Sequence, residues 1–93
     1  MTKYAVLLTG DEQARAKTER KLLNKEGGET PIEAFLRFIK EKFHDVRIAM
    51  IEGGKVVVDM ADDAIQSFTN ALRNLLRSEI NIFIDVESVP YPA

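Results

Sequence analysis

The chain has 93 residues, enough for one hydrophobic core and too few for two. Its 45% hydrophobic and 30% charged residues are close to the globular average, which argues against wholesale disorder and against a fibrous repeat. The chain contains no cysteine, so disulfides, thiolate metal sites and thiol catalysis are excluded. We therefore expect a single domain over residues 1–93.

Charge is distributed unevenly along the chain. The formal net charge is −2, but residues 13–25 carry five basic residues and one acid, a net charge of +4 that leaves −6 on the rest. This asymmetry predicts a charged partner for the basic segment. The apolar run at Tyr4–Leu8 is too short for a signal-peptide core or for the ~20 residues of a membrane span, so we expect a cytoplasmic protein without a membrane contact.

The first predicted element is a strand over residues 4–9. Its apolar run is almost unbroken and ends at Gly10, as is typical of a strand buried on both faces. Residues 12–29 then form a charged insertion, rich in helix formers and poor in apolar residues, which the glycines at 27 and 28 close. We expect this insertion to be an exposed helix or a mobile loop.

A second helix is predicted from Thr30 to Phe43. Thr30 and Glu33 have the spacing of a capping box around Pro31, and apolar residues recur at helical intervals from Ile32 onward. This pattern gives the helix one core-facing side.

Two strands follow as a hairpin. Residues 46–51 alternate in polarity, and the two glycines at 53 and 54 tolerate the positive φ of a tight turn. The returning strand, residues 55–59, is apolar on both faces at its centre. It is therefore predicted to be the second interior strand.

The last predicted elements are a helix over residues 60–78 and a strand over residues 80–87. An apolar stripe at helical spacing indicates the helix, and alternating isoleucines indicate the strand. Residues 88–93 contain two prolines, so we expect a tail that cannot extend a β-ladder.

This order of elements predicts an α+β fold, a ferredoxin-like βαββαβ sandwich. With strands numbered along the chain, right-handed crossovers give an antiparallel sheet of order 4-1-3-2 with the helices on one face. The insertion 12–29 lies between the first strand and the first helix of that pattern. The two continuous apolar runs occupy the two strands that this topology makes interior.

The uncovered face of the sheet is predicted to be apolar and to be an interface. Contiguous exposed apolar surface usually marks an interaction site, and two-fold dimers are the commonest oligomers. The residues assigned to this interface are Leu7, Ala49, Ile51, Val57 and Phe83. The alternative is that the insertion folds back over this face, with Leu22 and Leu23 in contact with it.

The basic segment supplies the predicted partner-binding residues, namely Arg15, Lys17, Arg20, Lys21 and Lys25. Such cations can contact phosphates, although they are also typical of a solvated helix face. The predicted central strands carry no aromatic residue except Tyr4, so RNA recognition by base stacking on the sheet is disfavoured.

No catalytic residue, metal site or cofactor is predicted. Asp59, Asp62 and Asp63 match no calcium loop and are interpreted as caps of the following helix. His44 stands beside Asp45, where its charged form would complement a helix C-terminus. No nucleophile, base and orienting group can be assembled from the sequence.

The opening Lys3-Tyr4 to Gly10-Asp11-Glu12 resembles the first strand and turn of the YCII-related family of dimeric α/β barrels. The Asp-Gly-Pro-Phe signature of that family is absent, and so is the histidine of its first helix. The resemblance implies no site residue. It implies only a ferredoxin-like unit that pairs through its sheet.

These patterns favour a non-enzymatic interaction or regulatory domain that forms a homodimer through its sheet face and uses the basic segment to engage another protein. One alternative is a small ligand-binding protein or enzyme with a pocket at the dimer interface, lined by residues such as Tyr4, Phe83 and Asp85. The other is nucleic-acid binding through residues 13–25.

Overall fold

The computed structural model describes residues 1–23, 27–80 and 84–92 of the chain. The elements in chain order are β1 (Thr2–Thr9), α1 (Glu12–Leu22), α2 (Pro31–Lys42), β2 (Arg47–Glu52), β3 (Lys55–Met60), α3 (Ile65–Ile80) and β4 (Asp85–Pro90). The four strands form one antiparallel sheet of order β2-β3-β1-β4. The predicted α+β class and the predicted strand order, with β1 and β3 inside, are confirmed.

One hydrophobic core lies between the sheet and the helices. It contains Tyr4 and Val6 of β1 and Val56 and Val58 of β3, together with buried residues of α1, α2 and α3. Leu22 of α1 is part of this cluster, so α1 packs on the same side of the sheet as α2 and α3. The alternative in which the insertion covers the other face through Leu22 is therefore wrong. We call the side of the sheet without helices the open face.

Local sequence signals explain where α2 begins and where β2 turns into β3. Thr30 accepts from the Glu33 amide while Glu33 accepts from the Thr30 amide, and Pro31 occupies the first turn, so the capping box of α2 is confirmed. Gly53 and Gly54 have φ of +59° and +74°, as a hairpin turn with two left-handed residues requires. The β2–β3 hairpin is confirmed as well.

The charged insertion contains an ordered helix. Asp11 caps α1 by accepting from the Ala14 amide, and Thr18 and Leu22 are buried. Arg37 of α2 holds the end of this helix, since it donates to the Leu22 carbonyl at 2.8 Å and makes two hydrogen bonds to Glu29. The insertion is thus tied to the domain at its far end.

The C-terminal boundaries differ from the prediction. Helix α3 runs from Ile65 to Ile80, because Ile80 lies four residues after the buried Leu76 and extends the same stripe. Strand β4 reaches Pro90, so the ladder extends into the tail predicted over residues 88–93. Proline is tolerated there because β4 is an edge strand, and Pro90 has its backbone nitrogen on the outer edge.

Candidate functional site

The open face has a small apolar centre. By register it carries Ala5 and Leu7 of β1, Met50 of β2, Val57 of β3 and Val89 of β4. Ala5 and Val57 are only 1% and 0% exposed, Leu7 and Met50 are half-buried, and Val89 is 39% exposed. The three partly exposed side chains form the apolar surface that remains on this face.

The Tyr91 side chain lies across the open face, between its two edge strands. The Tyr91 amide donates to the Lys3 carbonyl at 2.8 Å, which continues the β1–β4 pairing by one residue and puts both side chains on one side of the sheet. The Tyr91 hydroxyl donates to Glu52 at 2.7 Å, on the opposite edge strand. Glu52 is the cross-strand neighbour of Lys55, so both side chains lie on the open face. The hydrogen bond to Glu52 raises the pKa of Tyr91.

Charged residues surround this apolar centre. Lys3 and Asp59 form an ion pair at 3.8 Å at one end of the two central strands. Lys55 lies at the other end of β3, and the edge strands add Arg47 and Glu87, all three exposed. The open face thus has a ring of alternating charge around Leu7, Met50 and Val89.

The structure places the five predicted interface residues in different surroundings. Leu7 and Val57 lie on the open face. Ala49 lies at an irregularity between Ile48 and Met50, where the β2–β3 register shifts by one residue. After this shift Ile51 pairs with Val56 and shares the helix side, so its assignment to the open face is wrong. Phe83 lies outside the described residues.

Met50 and Val89 are the two partly exposed open-face residues that the sequence prediction missed. Met50 takes the place expected for Ile51, because one extra residue in a strand moves every following side chain to the other face. No residue type in β2 reveals that irregularity. Val89 was assigned to the tail because of its neighbouring prolines.

The basic side of α1 contains three of the predicted partner-binding residues. Arg15, Lys17, Arg20 and Lys21 are all exposed, and Lys25 lies outside the described residues. At about 100° per residue, Lys17, Arg20 and Lys21 fall within an arc of about 100°, whereas Arg15 lies on the opposite flank. Lys21 also donates to the Ile80 carbonyl at 3.1 Å, which ties this arc to the end of α3.

A cleft of about 420 Å³ opens beside the end of β1, and we call it the β1 cleft. Its walls come from the end of β1, one flank of α1, the start of α2 and the β2–β3 turn. The lining residues are Val6, Leu7, Leu8, Arg15, Glu19, Thr30, Pro31, Ile32, Phe35 and Gly54. Most of these side chains are apolar, and Arg15 and Glu19 bring one charge of each sign.

The peptide groups of Leu8 face this cleft. Along a strand, the N–H and C=O groups of one residue point to one neighbouring strand and those of the next residue point to the other. In β1, the groups of Lys3 point to β4, because the Lys3 carbonyl accepts from the Tyr91 amide. Leu8, an odd number of residues away, therefore points to the β3 side. The β1–β3 ladder ends at Val6 and Val56, and no residue in the described part of the chain pairs with Leu8 there. Its N–H and C=O are thus available to a ligand.

Unlike the backbone of Leu8, the two outer edges of the sheet are not open to pairing with a further strand. At the outer edge of β4, the carbonyl of Val86 accepts from Arg73 of α3, and that of Ile84, just before the strand, accepts from Arg77, each at 2.8 Å. On β2, the irregularity at Ala49 interrupts the regular spacing of backbone groups. Edge strands covered or bent in this way resist pairing with another chain.

The acidic residues at the end of β3 and just after it do not form a metal site. Asp62 accepts from the Tyr4 hydroxyl at 2.6 Å, and Asp59 pairs with Lys3, so neither carboxylate caps α3, which begins at Ile65. Hydrogen bonds from Thr2 and Tyr4 lower the pKa of Asp62. Within residues 1–23, 27–80 and 84–92, no cluster of three or more His, Cys, Asp or Glu side chains could hold a metal ion.

The residues predicted to line an interfacial ligand pocket are not brought together. Tyr4 is buried on the helix side, whereas Asp85 pairs with Thr9 at the opposite end of the β1–β4 ladder. Phe83, the third member of that set, is outside the described ranges. His44 is exposed after the end of α2.

Comparison with known proteins found no match to a protein family, to a curated protein or to a solved structure. None of the helices in the described ranges is both long and apolar enough for a transmembrane span. The surfaces described above therefore carry the evidence for function.

Proposed function

We propose that this chain is a non-enzymatic protein-interaction domain that works as a homodimer, with two copies packed through their open faces. The observation that carries the proposal is the composition of that face. Leu7, Met50 and Val89 remain partly exposed at its centre, no described helix covers them, and charges of both signs surround them. Apolar patches with a polar rim are typical of protein interfaces.

The proposal includes a ferredoxin-like βαββαβ architecture, in which α2 and α3 are the crossover helices and α1 is an insertion. The strand order and the position of the helices on one side support it. In such an architecture the second side of the sheet is available for pairing with another sheet. A cytoplasmic location stays a prediction from the sequence.

Charge complementarity favours one arrangement of the two copies. Consider a two-fold axis that runs across the strands at the level of Ala5 and Val57. Asp59 then opposes Lys55 of the second copy, and Arg47 opposes Glu52 of the second copy, each twice by symmetry. Every charged pair along β2 and β3 in this arrangement has opposite signs.

The other aligned arrangement, with the axis parallel to the strands, is less favourable. It places β2 over β4 and therefore opposes Glu52 to Glu87 of the second copy, both exposed. Its one favourable charged contact, Lys3 with Asp59 of the second copy, joins residues that already pair within each copy. Like charges in direct opposition disfavour an interface. We therefore propose the axis across the strands.

The size of the face predicts a weak dimer. Four strands about 4.8 Å apart and about six residues long give a surface of roughly 20 Å by 20 Å. This is well below the ~800 Å² per partner of a standard stable interface. We expect a dissociation constant in the micromolar to submillimolar range, so that the dimer forms and dissociates with concentration.

The test compares two neighbouring substitutions, Met50→Glu and Ile51→Glu. Met50 lies on the open face and Ile51, 42% exposed, lies on the helix side, so the second variant is a matched control. Light scattering of the parent between about 10 µM and 1 mM should show a rise from monomer to dimer mass. We expect Met50→Glu to abolish the rise and Ile51→Glu to retain it.

Three outcomes would contradict the proposal. The parent could stay monomeric at about 1 mM, a concentration at which even a dimer with a submillimolar dissociation constant would be populated. It could dimerise while Met50→Glu does so equally. Or both glutamate variants could lose dimerisation although circular dichroism shows them folded, which would place the interface on the helix side.

A second candidate function is binding to an acidic partner through the basic side of α1. The observation that favours it is the exposed arc of Lys17, Arg20 and Lys21. A nucleic acid bound there would lose affinity linearly in log[salt], and Lys17→Glu would reduce the slope. An acidic protein would instead bind to the parent chain and would not bind to the double variant Lys17→Glu/Arg20→Glu.

A further inference from the structure

We propose that the β1 cleft binds a short extended peptide, one residue of which pairs with the backbone of Leu8. This site lies between β1 and the helices and does not depend on the homodimer. The peptide would continue the line of β3 past the hairpin turn, in the position that Gly54 would occupy if the strand went straight on.

The backbone carries the first step. The free N–H and C=O of Leu8 are one donor and one acceptor, spaced as in any strand residue. A peptide residue that lies opposite can accept from that N–H and donate to that C=O, which is how antiparallel residues pair. Extended peptides commonly add to sheets through such unpaired strand groups.

The walls of the cleft define the side chain at that position. A residue opposite Leu8 shares its side of the sheet, so its side chain enters the space beside Ile32 and Phe35. Gly54 lines the same cleft and has no side chain to fill it. A cleft of about 420 Å³ accommodates one large apolar side chain with its backbone.

The charges define the neighbours of that apolar residue. Arg15 and Glu19 are four residues apart on α1 and line the same cleft. Across the three described ranges, neither side chain makes an ion pair or a hydrogen bond. Lys55 and Val56 occupy the positions that follow the residue opposite Leu8, so this apolar residue is the last one of the peptide. An acidic residue two positions before it would return to the helix side and pair with Arg15.

The probe is the peptide acetyl-Asp-Thr-Leu-amide, and its matched control carries an N-methyl group on the leucine. The N-methyl group removes the donor that Leu8 C=O would accept and leaves the side chains unchanged. Binding is followed by amide shifts in ¹H–¹⁵N spectra of the full chain at up to about 5 mM peptide, a concentration that detects weak complexes.

The expected result has three parts. In the free protein the Leu8 amide exchanges with solvent faster than the amides of Val6 and Thr9, which face ladder partners on β3 and β4. The parent peptide shifts Leu7–Thr9 and protects the Leu8 amide, whereas the N-methyl control does neither. Arg15→Glu weakens binding roughly fivefold, while Arg20→Glu, on another side of the same helix, changes it little.

Several results would overturn the proposal. One is a Leu8 amide that is already protected in the free protein. Another is equal binding of the two peptides, which would show that the cleft takes an apolar ligand through its walls alone. A third is the lack of shifts at Leu7–Thr9 at the highest peptide concentration.

Discussion

Phe68 anchors α3 in the core, and its removal should have a large and specific cost. The side chain is buried, and its ring meets the ring of Phe43 edge-on, with centroids 5.0 Å apart and planes at 72°. Phe68→Ala should lower the free energy of unfolding by about 3–5 kcal/mol, since a buried phenylalanine leaves a cavity. About 0.5–1.5 kcal/mol of this comes from the ring pair.

That cost is a large part of the stability of this domain. At roughly 0.05–0.15 kcal/mol per residue, a chain of 93 residues has about 5–14 kcal/mol in total. The assay is urea unfolding followed by circular dichroism. With a slope of about 2 kcal/mol per molar, a loss of about 4 kcal/mol lowers the midpoint by about 2 M.

Two controls separate the cavity from the ring pair. Ile51→Ala, at a side chain 42% exposed, should move the midpoint far less than Phe68→Ala. Phe43→Leu combined with Phe68→Leu should show a coupling energy of about 0.5–1.5 kcal/mol. If Phe68→Ala unfolds at the urea concentration of the Ile51→Ala control, the core described above is wrong.

Two further predictions concern hydrogen bonds outside the core. The hydrogen bond to the Asp62 carboxylate raises the pKa of Tyr4 above its ordinary value of 10.0. The stabilisation of the fold by this bond is therefore complete below pH 10 and is lost as the pH rises through the folded-state pKa. Tyr4→Phe should flatten the alkaline fall in melting temperature, and identical profiles of parent and variant would contradict this. Arg37→Ala should speed amide exchange in the last turn of α1, because Arg37 donates hydrogen bonds to the Leu22 carbonyl and to Glu29. The control Arg47→Ala should leave the exchange in that turn unchanged. Equal exchange rates in the two variants would refute the role of Arg37.

The sequence was sufficient for the class and strand order of the fold because its signals are local and mutually consistent. The apolar runs at Tyr4–Leu8 and Val56–Val58 predict interior strands, and both are buried on the core side. The capping box at Thr30 and the two glycines at 53 and 54 each fix an element boundary. Such features need no knowledge of distant contacts.

The sequence was insufficient where the outcome depends on distant partners. The irregularity at Ala49 exchanges the faces of Met50 and Ile51, and it arises from pairing with β3. The position of Tyr91 depends on Lys3 and Glu52, residues far away in the chain. Phe38 lies six residues after Ile32 and therefore off the i, i+3, i+4, i+7 stripe of α2, yet it is only 6% exposed.

The site could be predicted only in part for the same reason. Leu7 and Val57 reach the predicted face because β1 and β3 pair in a regular register. The β1 cleft could not be predicted, since it exists only because β3 begins opposite Leu7 and leaves Leu8 without a partner. That offset is set by the position of the hairpin turn relative to β1.

The central claim is that two copies pack through their open faces with the two-fold axis across the strands. The most direct test mixes two charge-reversal variants, Lys55→Glu and Asp59→Lys, which the proposed arrangement brings together between copies. Alone, each variant places like charges in opposition and should stay monomeric in sedimentation experiments at concentrations where the parent dimerises.

Mixed in equal amounts, the two variants should form a heterodimer, because each reversed charge then meets a charge of opposite sign on the other copy. A mixture of Lys3→Glu with Asp59→Lys should not be rescued in this way. If the first mixture stays monomeric while the parent dimerises, the proposed axis is wrong, and rescue by the second mixture would place it along the strands. If the parent does not dimerise at any concentration, the central claim itself fails.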